Sequence, residues 1–155
     1  MLASTFRKLL DGQNINYAII EHPEAYTAQQ VAATAHIPGR EFAKTVMVKL
    51  DGKLTMMVLP APSKINLACC KQATGAKIAQ LASEEDFQDA FPECETGAMP
   101  PFGNLFDMDV YIDDGLTDEE DIVFNAGTHT ELIKLHYEDF EKLVHPKIAH
   151  LTKVH

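Results

Sequence analysis

The sequence predicts an α/β fold of the α+β kind: a mixed, largely antiparallel central sheet with flanking helices. Three observations predict it. Residues 42–50 and 53–59 are apolar, strand-like runs joined by Asp51-Gly52, the dipeptide that most strongly marks a two-residue hairpin. Segments with helical spacing and capping residues fall between the strand runs. Hairpin, strands and helices do not alternate strictly, which argues against a doubly wound parallel sheet.

Leu2, Phe6, Leu9 and Leu10 recur at helical spacing, so residues 2–12 read as an amphipathic helix ending near Gly12. Residues 17–20 read as a short strand. Thr27 and Gln30 make a capping box for a helix through Val31, Ala32 and Ala35, which Pro38 and Gly39 end. A two-residue turn at Asp51-Gly52 sets Leu50 opposite Lys53, Val48 opposite Thr55, Val46 opposite Met57 and Lys44 opposite Leu59. Ser63 is expected to cap a helix carrying Ile65, Leu67, Ala68 and Lys71 to a stop near Gly75, followed by a strand over 77–81. Ser83 and Asp86 cap the next helix, which Pro92 ends. Three strands are expected over 105–112, 122–125 and 131–136, then a helix over 138–144 closed by Pro146.

A chain of 155 residues, 46% of them hydrophobic, supports one well-buried core, so residues 1–155 read as a single domain. No apolar run approaches the roughly 20 residues that a bilayer requires, and residues 1–10 lack the pattern of a secretion signal. A soluble, cytoplasmic protein with no membrane partner is expected. Cys69, Cys70 and Cys94 have no zinc or disulfide spacing; Cys70 and Cys94 are nucleophile candidates, although buried structural thiols are commoner. His145, His150 and His155 recur at intervals of five, which neither helix nor strand brings onto one face, so no metal site is expected there.

The net charge of -10 excludes broad, sequence-independent contact with nucleic acid, so any RNA must be gripped locally. Acidic runs at 84–86 and 118–121 read as helix starts and solvated turns.

Three segments carry candidate chemistry. Lys44 shares a strand face with Phe42, Val46 and Val48, an ammonium on a side that otherwise reads as core. It is either a lysine whose head reaches water or a fixed charge for a phosphate or a developing oxyanion. Gly97-Ala98-Met99-Pro100-Pro101-Phe102-Gly103 is stiffened by two prolines, and its glycines allow a close backbone approach, so it reads as a loop that presents main-chain groups. Gly127-Thr128-His129-Thr130 lies between two strands, where His129 can donate a hydrogen bond or position a ligand. Thr45, Thr128 and Thr130 add hydroxyls. Together these segments suggest a small pocket for an anionic, acyl-bearing ligand. No P-loop, dinucleotide fingerprint or nucleophile elbow is present.

The order of His22-Pro23, Thr27, Ala43-Lys44-Thr45, Gly97 to Gly103 and Asn125-Ala126-Gly127-Thr128-His129 resembles the family of the YbaK and prolyl-tRNA synthetase-associated editing domains, over about residues 15–145. The resemblance implies hydrolysis of amino acids wrongly attached to proline tRNA, without a cofactor, by a free-standing member acting in trans. It places the family's lysine at Lys44, its Gly-x-x-x-Pro loop at Gly97 to Pro101, and its late glycine-histidine segment at Gly127 to His129. Lys44, Gly97 and His129 are then the catalytic candidates, and Thr45, Pro100, Pro101, Phe102, Gly103, Gly127 and Thr128 the substrate-binding ones. The implied partners are the 3′ end of an aminoacyl-tRNA and prolyl-tRNA synthetase. Thr45 stands where alanine-clearing members often carry asparagine, which weakens an alanine assignment and keeps cysteine, serine, threonine or a small non-protein amino acid open as cargo. The alternatives are a non-catalytic module that binds aminoacyl-tRNA ends or a synthetase, and a hydrolase of small acyl esters unrelated to tRNA.

Overall fold

The hairpin forms in the expected register: β2 (Ala43–Leu50) runs antiparallel to β3 (Lys53–Pro60), with Lys44 opposite Leu59 and Leu50 opposite Lys53. Asp51 and Gly52 both take positive φ, 50° and 86°, the conformation of the tight turn that matches the natural twist of two strands. The structure, a computed structural model, describes residues 8–22, 27–91, 94–95 and 98–152. Leu2, Phe6, Pro23, Pro92, Gly97 and His155 lie outside them.

Residues 8–12 form helix α1, followed by β1 (Tyr17–Glu21) and α2 (Ala28–Thr34), whose capping box of Thr27 and Gln30 is in place. After the hairpin come α3 (Leu67–Thr74), β4 (Ala79–Leu81) and α4 (Glu84–Phe87), the last with its Ser83/Asp86 box. The chain continues through β5 (Val110–Asp113), α5 (Asp114–Thr117), β6 (Asp121–Asn125), β7 (Glu131–His136), α6 (Tyr137–Val144) and β8 (Lys147–Ala149).

Two sheets result, one ordered β1-β7-β6 and the other β4-β2-β3-β5-β8. Only the β3/β5 and β5/β8 pairs are parallel, so the arrangement is mixed and largely antiparallel. Among the described residues a single parallel bridge, Phe42 to Val123, joins the sheets. It lets both contribute to one front core: Ala43, Met47, Met56 and Val58 from the hairpin meet Phe124, Ile133 and Leu135 under Phe140 and Val144 of α6. On the back face α2 covers Phe42, Ala61, Val123 and Leu132, while α3 covers Val48, Met57 and Leu59.

Several sequence boundaries move. Asn66, not Ser63, caps α3: its side chain accepts from the Cys69 amide at 2.9 Å, while the Ser63 amide closes a turn onto Pro60. The strand expected over 105–112 begins only at Val110, because the Gly103 carbonyl accepts from both Phe106 and Met108 and curls the chain, with Asp107 at φ 56°. The strand expected over 77–81 begins at Ala79, since the Lys77 and Ile78 amides instead donate to the Asp51 carboxylate. The final helix starts one residue early, at Tyr137. Segments α5 and β8 were not anticipated; four and three residues are too few to show a period.

Gly103 sits where a Cβ would collide with the Met108 carbonyl oxygen and the Val110 side chain. Gly103→Ala is expected to destabilise the fold by about 2 kcal/mol or more through overpacking. Urea denaturation measures this, and an unshifted midpoint would show that the close approach is dispensable.

Candidate functional site

Lys44 is the second residue of β2 and leaves it on the back face, between the apolar clusters under α2 and α3. Its ammonium is part-buried and donates to the Ala61 carbonyl at 3.0 Å. Ala61 is fixed in turn, because its amide donates to the Phe42 carbonyl at 2.8 Å. Burial first, and then the charge of Lys64, hold the Lys44 amine below the usual lysine range. Lys64 was not singled out from the sequence, since a lysine in a turn reads as ordinary surface.

The other two segments meet each other. The Gly127 amide donates to the Ala98 carbonyl at 2.9 Å, and the Glu95 amide donates to the Gly127 carbonyl at 2.8 Å. Gly127 has φ 101°, a conformation that a side chain would strain. His129, only 5% exposed, places Nε2 3.8 Å from a Glu95 carboxylate oxygen. The hydroxyls of Thr128 and Thr130 lie 3.4 Å apart, and the Thr130 carbonyl receives the His22 amide, which ties this turn to the end of β1.

The proline loop is less open than a presenting loop would be. Residues 98–103 are all buried. The Phe102 amide donates to the Pro100 carbonyl at 2.8 Å, folding the chain tightly around Pro101, and the Phe102 and Gly103 carbonyls accept from the short helical turn that follows. The Phe102 ring lies 5.5 Å from that of Phe124 and 5.4 Å from that of Phe140, so it anchors the loop in the front core. Met99 joins the same core. Thr45 alternates to this front side, opposite in direction to Lys44.

The Phe42–Val123 bridge relates the segments. Two residues beyond it in the same direction stand Lys44 on β2 and Asn125 on β6, and Asn125 leads directly into Ala126 and Gly127. Thr45 Oγ1 and Asn125 Oδ1 are buried polar atoms without a hydrogen-bond partner. The sequence reading places Asn125 in a motif but gives it no role, because an asparagine ending a strand looks like turn chemistry. Cys70 is wholly buried, and burial pushes its thiol up to about 11, so it is inert.

The profile of the aminoacyl-tRNA editing domain family matches residues 22–143, a span holding Lys44, the proline loop and His129. The chain belongs to that family. The "Prolyl-tRNA editing protein ProX" of Acetoanaerobium sticklandii is 28% identical over 142 residues, covering 87% of this chain and 85% of that protein. The "Proline--tRNA ligase" of Bacillus mycoides is 26% identical over 91 residues, which are 59% of this chain but 16% of the ligase, so the chain matches only a small part of that relative's length. A crystal structure described as that of a candidate trans-editing enzyme for prolyl-tRNA synthetase superposes with a TM-score of 0.84, at 16% identity, over 99% of this chain and 98% of that one. It shows that the two share a fold.

The lowered Lys44 pKa has a consequence for stability. The folded state holds this proton less tightly than the unfolded chain, so stability attributable to Lys44 rises as pH climbs through the folded pKa toward 10.5. Relative to Lys44→Met, the native protein should therefore gain in melting temperature across that alkaline window, with a constant difference below it. A difference that stays flat up to pH 10.5 would mean that the ammonium is not desolvated.

Proposed function

We propose that this chain is a trans-acting aminoacyl-tRNA deacylase that hydrolyses the ester of a mischarged small amino acid on proline tRNA. The observation that carries the reading is the part-buried ammonium of Lys44, held against Ala61 beside the strand end that leads into the glycine-histidine turn. A charge kept partly out of water acts more strongly on an anion than one in bulk solvent. With Lys64 nearby it gives this acidic chain a local grip for the phosphate of an RNA 3′ end.

The chemistry asks little of the protein. An aminoacyl ester is already labile, so orienting the attack and stabilising the oxyanion suffice without a protein nucleophile. A water oxygen, its attack assisted by the terminal ribose hydroxyl, adds to the ester carbonyl carbon and gives up a proton; the bond from that carbon to the ribose oxygen then breaks, and the ribose oxygen takes up the proton as the free amino acid is released. Lys44 holds the terminal phosphate region. The backbone around Gly97 to Gly103 holds the aminoacyl end, with Thr128 and His129 bounding the pocket; Thr45, on the opposite side of β2 from Lys44, does not reach it. Because one methylene is worth only about 1 to 3 kcal/mol in a binding pocket, a separate hydrolytic sieve is useful after synthesis. Prolyl-tRNA synthetase is the natural source of the misacylated substrate and a candidate partner, and the cytoplasm is where this work is done. Among the described residues no helix is long and apolar enough to cross a membrane.

Single-turnover hydrolysis of a panel of mischarged proline tRNAs tests the reading. Lys44→Ala should lower the rate by about 100-fold or more with an unchanged circular dichroism spectrum; full activity in that variant removes the mechanism. Saturable binding without cleavage across the panel would instead favour the non-catalytic module, and cleavage indifferent to the acceptor stem a general ester hydrolase. On the same panel His129→Ala should change which amino acid is released more than it changes affinity for tRNA, and an unchanged substrate profile would count against that role.

A further inference from the structure

We propose that Asn125 is the acceptor for the α-ammonium of the bound aminoacyl group, a substrate-positioning contact that rests on the deacylase reading. Asn125 is 9% exposed, yet its side-chain oxygen has no hydrogen-bond partner. A buried acceptor left unpaired is unfavourable, and such groups are ordinarily satisfied. An amide oxygen only accepts, so its missing partner is an N–H or O–H donor.

The position of Asn125 says where that donor comes from. Val123 and Phe42 pack in the same back-face cluster, and alternation returns Asn125 and Lys44 to that face two residues further along parallel strands. Across the β6–β7 ladder Asn125 pairs with Leu132, a member of the same cluster, and Ala61, which receives the Lys44 ammonium, belongs to it as well. Cation and orphaned acceptor thus share one face at the split between the sheets, next to the turn on which the proline loop docks.

An aminoacyl-tRNA end carries a phosphate and, on the acyl group, an ammonium. Lys44 suits the first and repels the second. A neutral acceptor displaced to the neighbouring strand holds the ammonium without neutralising the lysine, and so sets the direction in which the ester lies between them. Thr45 Oγ1, also unpartnered, faces the opposite side of β2 and can donate as well as accept, so its partner is not specified in the same way.

The test uses two non-hydrolysable adenosines: 3′-alanylamino-3′-deoxyadenosine, and its propionyl counterpart, which lacks only the amino group. Titrated below pH 7 by NMR, the native protein should bind the alanyl compound about tenfold or more tightly than the propionyl one. Asn125→Leu should bring that ratio to about one with propionyl affinity kept within about twofold, whereas Asn125→Asp, which retains an acceptor and adds charge, should preserve or raise it. Absence of preference in the native protein, equal weakening of both compounds in Asn125→Leu, or loss of the preference in Asn125→Asp would each overturn the assignment. Equal weakening would mark a ribose contact or a structural role. Should Asn125→Leu not fold, the native and Asp measurements decide alone. Cleavage of mischarged tRNA by the native protein is scored separately: preferential binding without cleavage sinks the deacylase reading and leaves Asn125 as the ammonium acceptor.

Discussion

The architecture depends on one backbone contact, the parallel bridge between Phe42 and Val123. A three-stranded and a five-stranded sheet each present an apolar face that must be covered, and a helix such as α6, with a single buried stripe, cannot cover two faces that diverge. The bridge aligns them. It brings Phe124 and Ile133 of one sheet beside Met56 and Val58 of the other, so that Phe102 and Phe140 close a continuous front core. It also ends at once: no ladder pair beyond it joins β2 to β6 among the described residues. Polar side chains just past such a split can be buried without interrupting a ladder, and this is where Lys44 and Asn125 stand.

Burying part of a lysine is unfavourable, and the structure limits the penalty with one carbonyl. Ala61 directs its oxygen at the ammonium because its own amide is held by Phe42, the residue that makes the bridge. The element that joins the sheets therefore also orients the acceptor for the cation. A second positive charge, Lys64, follows three residues after Ala61 and opposes complete neutralisation of the site by the acidic remainder of the chain. A net charge of -10 disfavours holding a polyanion along an extended groove, so what this fold offers an anion is a local cationic point.

The proline loop works by being held. Its prolines restrict the backbone, but what fixes it is the Phe102 ring between Phe124 and Phe140, the close passage of Gly103 under Met108, and the Gly127 amide on Ala98. Under the proposed deacylase function such a rigid main chain would serve to discriminate small acyl groups, because a loop free to relax would admit a substrate larger by one methylene.

The sequence by itself determined the local structure: the Asp51-Gly52 hairpin and its register, the capping boxes at Thr27 and Ser83, and the exceptional lysine on an apolar strand face. Each rests on residues close together in the chain, where turn chemistry and side-chain alternation act directly. It also carried the order of motifs that marks the editing family. It did not carry β8, α5 or the cap at Asn66, which depend on distant partners such as the Ile65–Thr152 bridge and the Asp113 carboxylate that accepts the Leu151 amide. Nor did it show that Met99 and Phe102 anchor the loop in the front core, that Ala61 receives the ammonium, or that Asn125 is buried on the face that carries Lys44. Those are decided by how the two sheets meet, and a pairing between residues 42 and 123 leaves no periodic trace in either segment.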